Sequence, residues 1–204
     1  MKKKKDENTE VQILEAAKTI FQSKGMDGAR MQEIADEAGI NKAMLHYYFR
    51  NKQLLFEAVF KNAFLLLAPQ LSAVLNDNSS IEVKVRNFTS NYISFILVHP
   101  YIPSFIIQEL NRNPDFILKL KDNPNFPNLE KFKKQVEEEV QQGLIKPISA
   151  EQLFINIMAL NVFPFVAKPL LKAITATNDE QYQKLVEART TEVADFIINS
   201  IKTI

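Results

Sequence analysis

Apolar positions recur with helical spacing along most of this chain, and no stretch alternates as a strand would. Thr9 and Gln12 have the spacing of a capping box, and Ile13, Leu14, Ala17, Ile20 and Phe21 form the face behind them. Gly25 is expected to end this first helix. Met31, Ile34, Ala35 and Ala38 fall at i, i+3, i+4 and i+7, a second apolar stripe, and Gly39 follows at once. Asn41 is a good cap for a third helix whose Leu45 and Phe49 point inward, with Ile40 plugging the corner between the two. Asn51 caps a fourth helix through Phe56, Phe60 and Phe64, which Pro69 should end or kink.

After a polar loop at residues 76–80, Ser79 and Glu82 fit another capping box. The helix they open should end before Pro100, with Ile81, Val85, Phe88, Tyr92, Phe95 and His99 on one face. Further helices are expected at residues 101–112, 115–121 and 128–142, the last ending at Gly143. Glu109 and Arg112, one turn apart, read as a surface ion pair of little worth. Ser149 and Gln152 box the start of a helix that is apolar nearly all round from Leu153 to Phe163, so it should be buried on more than one side. Pro164 and Pro169 interrupt it. Asn178 caps the last helix, with Tyr182, Leu185, Val186, Arg189, Val193, Phe196, Ile197 and Ile201 inward. The fold class is therefore all-α, with about nine or ten helices.

Composition narrows the function. The net charge is only +1, but residues 1–55 carry ten Lys/Arg against eight Asp/Glu, and the remainder fifteen against sixteen. The basic run at Lys2 to Lys5 has no apolar stretch behind it, so it reads as a solvated tail more readily than as a secretory signal or a DNA-binding arm. No long uninterrupted apolar run is evident, and a soluble cytoplasmic protein without a membrane partner is expected. There are no cysteines, and the two histidines lie far apart. No Gly-rich phosphate loop and no His/carboxylate metal spacing occur either. No catalytic residue, metal or cofactor is expected, and an enzyme is disfavoured.

Residues 30–49 carry the sharpest signal: two short helices around a tight turn, a helix-turn-helix. The second of them leaves Lys42, Ala43, Met44, His46, Tyr47 and Tyr48 to face outward. Three rings and a lysine suit a helix that enters the major groove of DNA better than a merely solvated face. From Gly39 to Phe56 the charges are Lys42, Arg50 and Lys52, with no acid to repel phosphates. A helical hairpin inside an all-α core is the plainer alternative.

Gly25, Ile34-Ala35, Ala38-Gly39-Ile40, Leu45, Tyr48-Phe49, Lys52 and Leu54-Leu55 together resemble the TetR family of transcriptional regulators, over roughly the first quarter of the chain. The resemblance implies a DNA-binding domain at residues 7–67 and a ligand-binding and dimerisation domain at 68–204. It implies a homodimer that binds a palindromic double-stranded operator and is released by a small-molecule effector, most simply a repressor. Arg30, Asn41, Lys42, Ala43, Met44, His46, Tyr47, Tyr48 and Lys52 become the candidate DNA-contacting residues. The dimer interface is expected on the last two long helices, at Phe154, Met158, Val193, Phe196 and Ile197. Two departures stand out. Ala29-Arg30 occupies the place where family members carry hydroxyl residues, and His46 stands where a tyrosine is common.

A ligand site is expected beside the helix carrying Phe88, Tyr92, Phe95 and His99, because rings with a few polar tips are what such sites are made of. The same four residues also read as ordinary core. A non-catalytic helical protein-interaction module is the alternative to a DNA-binding regulator.

Overall fold

The computed structural model describes residues 2–115, 118, 126 and 128–203, with side chains from residue 8 onward. Among them are ten helices and one isolated antiparallel bridge, Ile145 to Lys202. They are α1 (Lys2–Gly28), α2 (Met31–Glu37), α3 (Lys42–Tyr48), α4 (Lys52–Asn76), α5 (Ile81–Val98), α6 (Ile102–Arg112), α7 (Glu130–Gln141), α8 (Ala150–Val166), α9 (Lys168–Thr175) and α10 (Asp179–Ile201). The expected short helix at 115–121 lies outside the described residues, apart from residues 115 and 118. The chain divides into two compact units, Met1–Leu65 and Leu66–Ile204.

In the first unit, Ile13, Ala17 and Phe21 of α1, Ile34 and Ala35 of α2, Leu45 of α3 and Leu55 and Phe56 of α4 are all buried, with α1 against α2 and α2 against α3. Phe21 meets Phe56 edge-on at 4.9 Å. Thr9 is not the cap of α1: the helix runs from Lys2, and Thr9 is buried inside it. The preceding lysines and glutamate are good helix formers, and no glycine or proline stops them. The helix breaks at Gly25, whose φ is 65°, before one last turn.

In the second unit α5 lies along α10, and α8 touches α5, α6, α7, α9 and α10. Ile93, Tyr182 and Val186 form one knot of the core, with Leu97, Phe165 and Leu171 against it. α5 and α6 meet at 93°, α8 and α9 at 77°. Two capping signals form as expected: Ser149 accepts the Gln152 N–H, and Asn178 forms a full capping box with Gln181. The cap of α5 is Ser80 and not Ser79; the Ser79 hydroxyl donates to Asp77 instead.

Several other expectations are corrected. α4 continues through Pro69, because Leu71, Val74 and Leu75 beyond it are buried. Burial of each is worth about 1.5–3 kcal/mol, enough to offset the roughly 3 kcal/mol of an interior proline. As a result α4 is long and apolar enough to cross a membrane by length and composition, although half of its most apolar window is buried inside the protein. Each bent pair, α5–α6 and α8–α9, is also apolar enough when counted together. Leu185 and Phe196 face outward and not inward, Phe196 at 65% exposure. Glu109 is buried and not on the surface.

The loop between α4 and α5 is held by polar side chains. The ammonium of Lys84, only 1% exposed, donates to the carbonyls of Val74 (2.9 Å) and Asp77 (2.9 Å) and to the Asp77 carboxylate (2.5 Å). Lys131, Gln135 and Glu139 sit four residues apart on one face of α7. They reach the Asn76 carbonyl, the Ser79 carbonyl and the Ile81 N–H respectively. Burial alone would raise the pKa of Asp77, but hydrogen bonds from Lys84 and from the Ser79 hydroxyl and N–H take it below the usual carboxylate value. A carboxylate depressed on folding stabilises above its unfolded pKa, roughly 4, and the gain fades as pH falls through the lower folded value. Asp77→Asn should therefore lower the melting temperature at pH 7, with the gap to the native chain closing as the pH is taken below about 4. A gap that stays constant down to about pH 2.5 would show that the carboxylate charge contributes nothing.

Candidate nucleic-acid interface

The turn between α2 and α3 is built from the backbone outward. The Ile40 N–H bonds the Ala35 carbonyl (3.0 Å) and the Gly39 N–H bonds the Asp36 carbonyl (3.1 Å), the two bonds of a Schellman ending. This closure requires a left-handed residue between them, and Gly39 supplies it at φ 65°. Ile40 is half-buried in the corner. The Asn41 side chain accepts the Met44 N–H at 2.8 Å and starts α3. At seven residues α3 cannot stand alone, so the fully buried Leu45 and the buried Phe49 hold it against its neighbours.

That anchoring decides what α3 presents. Lys42, Ala43, Met44, His46 and Tyr47 are exposed, Tyr47 at 81%. Tyr48 is half-buried and meets Tyr47 edge-on at 5.4 Å, so it braces that ring more than it projects. His46 places Nδ1 at 3.1 Å from the Arg50 carbonyl. Arg30 holds the cap position of α2, exposed and with no side-chain capping bond, while its carbonyl accepts the Ile34 N–H. Asn41 is exposed, but its side-chain oxygen is engaged as a cap.

Lys52 differs most from expectation. Its ammonium donates to the carbonyls of Ala29 (2.9 Å) and Asp27 (3.2 Å). It ties the first turn of α4 to the segment before α2, which orients the whole motif. Asn51 caps α4 by accepting the Leu54 N–H at 2.9 Å. No motif signal in the sequence pairs residue 52 with residues 27 and 29.

Residues 13–59 match the family model described as bacterial regulatory proteins, tetR family. Over 118 residues the chain is 27% identical to the biofilm operon icaADBC HTH-type negative transcriptional regulator IcaR of Staphylococcus epidermidis, a match covering 58% of this chain and 56% of that one. It is 42% identical over 62 residues to the HTH-type transcriptional repressor SCO4008 of Streptomyces coelicolor, covering 30% and 32%. The crystal structure of an HlyIIR mutant protein superposes with a TM-score of 0.63 at 25% identity, covering 98% of this chain and 100% of that one. The chain thus carries a tetR-family match over residues 13–59 and shares its overall fold with the HlyIIR protein. A TetR family transcription regulator from Marinobacter aquaeolei VT8 shares the fold, with a TM-score of 0.65 at 16% identity over 99% of this chain and 100% of that one. The sequence similarity to IcaR thus spans only about half of that relative, and to SCO4008 about a third.

The other candidate residues fall into groups. Phe88 and Tyr92 are buried and stacked at 5.4 Å, whereas Phe95 and His99 are half-buried, with rings 4.7 Å apart. Among the candidate interface residues Phe154 and Met158 are half-buried and Phe196 projects. Val193 and Ile197 are buried in their own chain, a correction: on α10 they lie on the face that packs inward. A trough of about 640 Å³ runs over α8, lined by Phe154, Ile155, Met158, Val162 and Phe163, with Ile107 of α6 at its edge.

Lys52→Ala should lower stability by about 1 kcal/mol, because two carbonyls lose their donor. If Lys52 also touches a phosphate, the same variant flattens the salt dependence of duplex binding by about one unit of slope. A melt and a salt titration separate the two roles, and an unchanged melting temperature would remove the structural one.

Proposed function

We propose that this chain is a ligand-responsive transcriptional repressor that binds a near-palindromic duplex as a homodimer. The observation that carries the reading is α3: a capped helix whose inward side is one buried leucine and whose exposed side bears Lys42, Met44, His46 and Tyr47, with no acid between Gly39 and Phe56. Lys42 and the exposed rings would meet base edges, and Arg30, Tyr48 and Lys52 the phosphates. Among the described residues no group of three or more His, Cys, Asp or Glu is placed to hold a metal ion.

The second copy would sit on α8 and α10. Ile155, Phe163 and Phe196 are all more than half exposed there, beside the apolar trough. Contiguous apolar surface of this kind marks an interaction site. A two-fold pairing of these helices makes a four-helix bundle and links two copies of α3 in one assembly, as the reading of two half-sites requires. The effector site is proposed around Tyr92. Its ring is 2% exposed, and no described residue hydrogen-bonds its hydroxyl. Burial also pushes the phenol well above its usual pKa. A neutral phenol with no hydrogen-bond partner among the described residues suits the orienting of a mostly apolar ligand. The faces that make α4 apolar are buried in both units, so a cytoplasmic protein without a membrane partner remains the reading.

Phe196→Glu should convert a dimer of the 23.4 kDa chain to monomer in light scattering and abolish tight binding to duplexes enriched from a random pool, although no DNA-facing residue has changed. A native chain that is monomeric at micromolar concentration, or one that enriches no sequence, would overturn the proposal. Tyr92→Phe should leave the melting temperature of the ligand-free chain unchanged or slightly higher, because no bond to a described residue is lost. Any effector found by thermal-shift screening should bind this variant about 0.5–1.5 kcal/mol more weakly, with DNA affinity unchanged in its absence. A drop in the ligand-free melting temperature of several degrees would mean that the hydroxyl serves the fold.

A further inference from the structure

His46 carries an inference that rests on the DNA-binding reading and deepens it. Its Nδ1 lies 3.1 Å from the backbone carbonyl of Arg50, four residues on. A carbonyl oxygen only accepts, so Nδ1 must bear the ring hydrogen. In a neutral imidazole that leaves Nε2 bare and able only to accept. The ring is exposed on α3, and no described residue bonds Nε2. The other polar side chains that α3 exposes are Lys42, which only donates, and Tyr47, whose hydroxyl can do either.

A group that only accepts gains nothing from a phosphate, which has no hydrogen to give. In the major groove the only donors are the N6 amino group of adenine and the N4 amino group of cytosine. We propose that His46 is a specificity-determining residue that accepts a hydrogen bond from the amino group of an adenine or a cytosine through Nε2, held in the accepting tautomer by the Arg50 carbonyl. The turn between α3 and α4 thereby sets base preference as well as helix orientation. Guanine O6 and N7 and thymine O4 are acceptors and would face Nε2 unfavourably.

The test starts with selection of duplexes from a random pool by the native chain at about pH 8. His46→Ala and His46→Phe are then assayed on the enriched half-site, with circular dichroism melts establishing that both fold. His46→Phe keeps a ring of similar bulk and removes both nitrogens. Both variants should lose preference at one position per half-site and keep it elsewhere. Replacing adenine there by purine, or cytosine by 2-pyrimidinone, deletes only the amino group, and the base whose analogue has the effect tells adenine from cytosine. The native chain should bind that analogue about three- to tenfold more weakly, and both variants should be indifferent to it. If His46→Ala weakens every duplex equally and leaves preference intact, His46 contacts the backbone and the inference falls, while the DNA-binding reading stands. The inference also falls if the native chain is indifferent to both analogues at the position that the variants relax. Failure of the native chain to enrich any sequence removes the DNA-binding reading itself, and the inference with it.

Discussion

The C-terminal end of every helix leaves carbonyl oxygens that need a donor, and in this protein long cationic side chains supply several of them. Lys52 meets the carbonyls of Asp27 and Ala29, Lys84 those of Val74 and Asp77, and Lys131 that of Asn76. Arg189 extends the pattern to a helix interior. Pro164 has no N–H to offer the Leu160 carbonyl, and that oxygen accepts from the Arg189 guanidinium at 2.7 Å. Just beyond, where α8 breaks at Ala167, the Pro164 carbonyl accepts the Tyr182 hydroxyl at 2.8 Å. A proline in a mostly apolar helix is thus tolerated because α10 brings two donors to it. Burial lowers the Arg189 pKa somewhat, and the guanidinium keeps its charge regardless.

This constraint explains which parts of the chain are legible in the sequence. Caps and turns lie within a few residues of one another, so Asn41 with Met44, Gly39 with Asp36, Ser149 with Gln152 and Asn178 with Gln181 can be read from spacing alone. The donors that close helix ends come from far along the chain: Lys52 to Ala29 spans 23 residues and Arg189 to Leu160 spans 29. A lysine directly after a capping asparagine looks the same in sequence whether it meets a phosphate or a carbonyl. That is why Lys52 reads as a phosphate ligand and is found tying α4 to the segment before α2.

The candidate sites divide along the same line. The outward set on α3 follows from period and from Leu45 and Phe49 alone, and five of its six members are exposed. On α10 periodicity could not separate two apolar faces. Val193 and Ile197 fall on the face toward α5 and α8, while Leu185 and Phe196 fall on the face that a second copy would cover. The helix is apolar on both sides because it has a core on one and, under the proposed function, a partner on the other. Thr9 failed for a different reason: a capping pattern marks where a helix can start, and nothing upstream obliges it to start there.

Under the proposed function an effector acts through α4, within which the boundary between the two units falls. Its first turn is fixed by Asn51 and Lys52, beside α3 in sequence, and its last by Lys84 and Lys131. A ligand near Tyr92 gains leverage only if it binds more tightly to a conformer in which that first turn suits DNA poorly; equal affinity for both conformers shifts nothing. Moving the balance from about 1:99 to about 99:1 needs a preference of about 10⁴-fold. One hydroxyl cannot supply that. The larger part would have to come from apolar contacts that exist in one conformer and not the other.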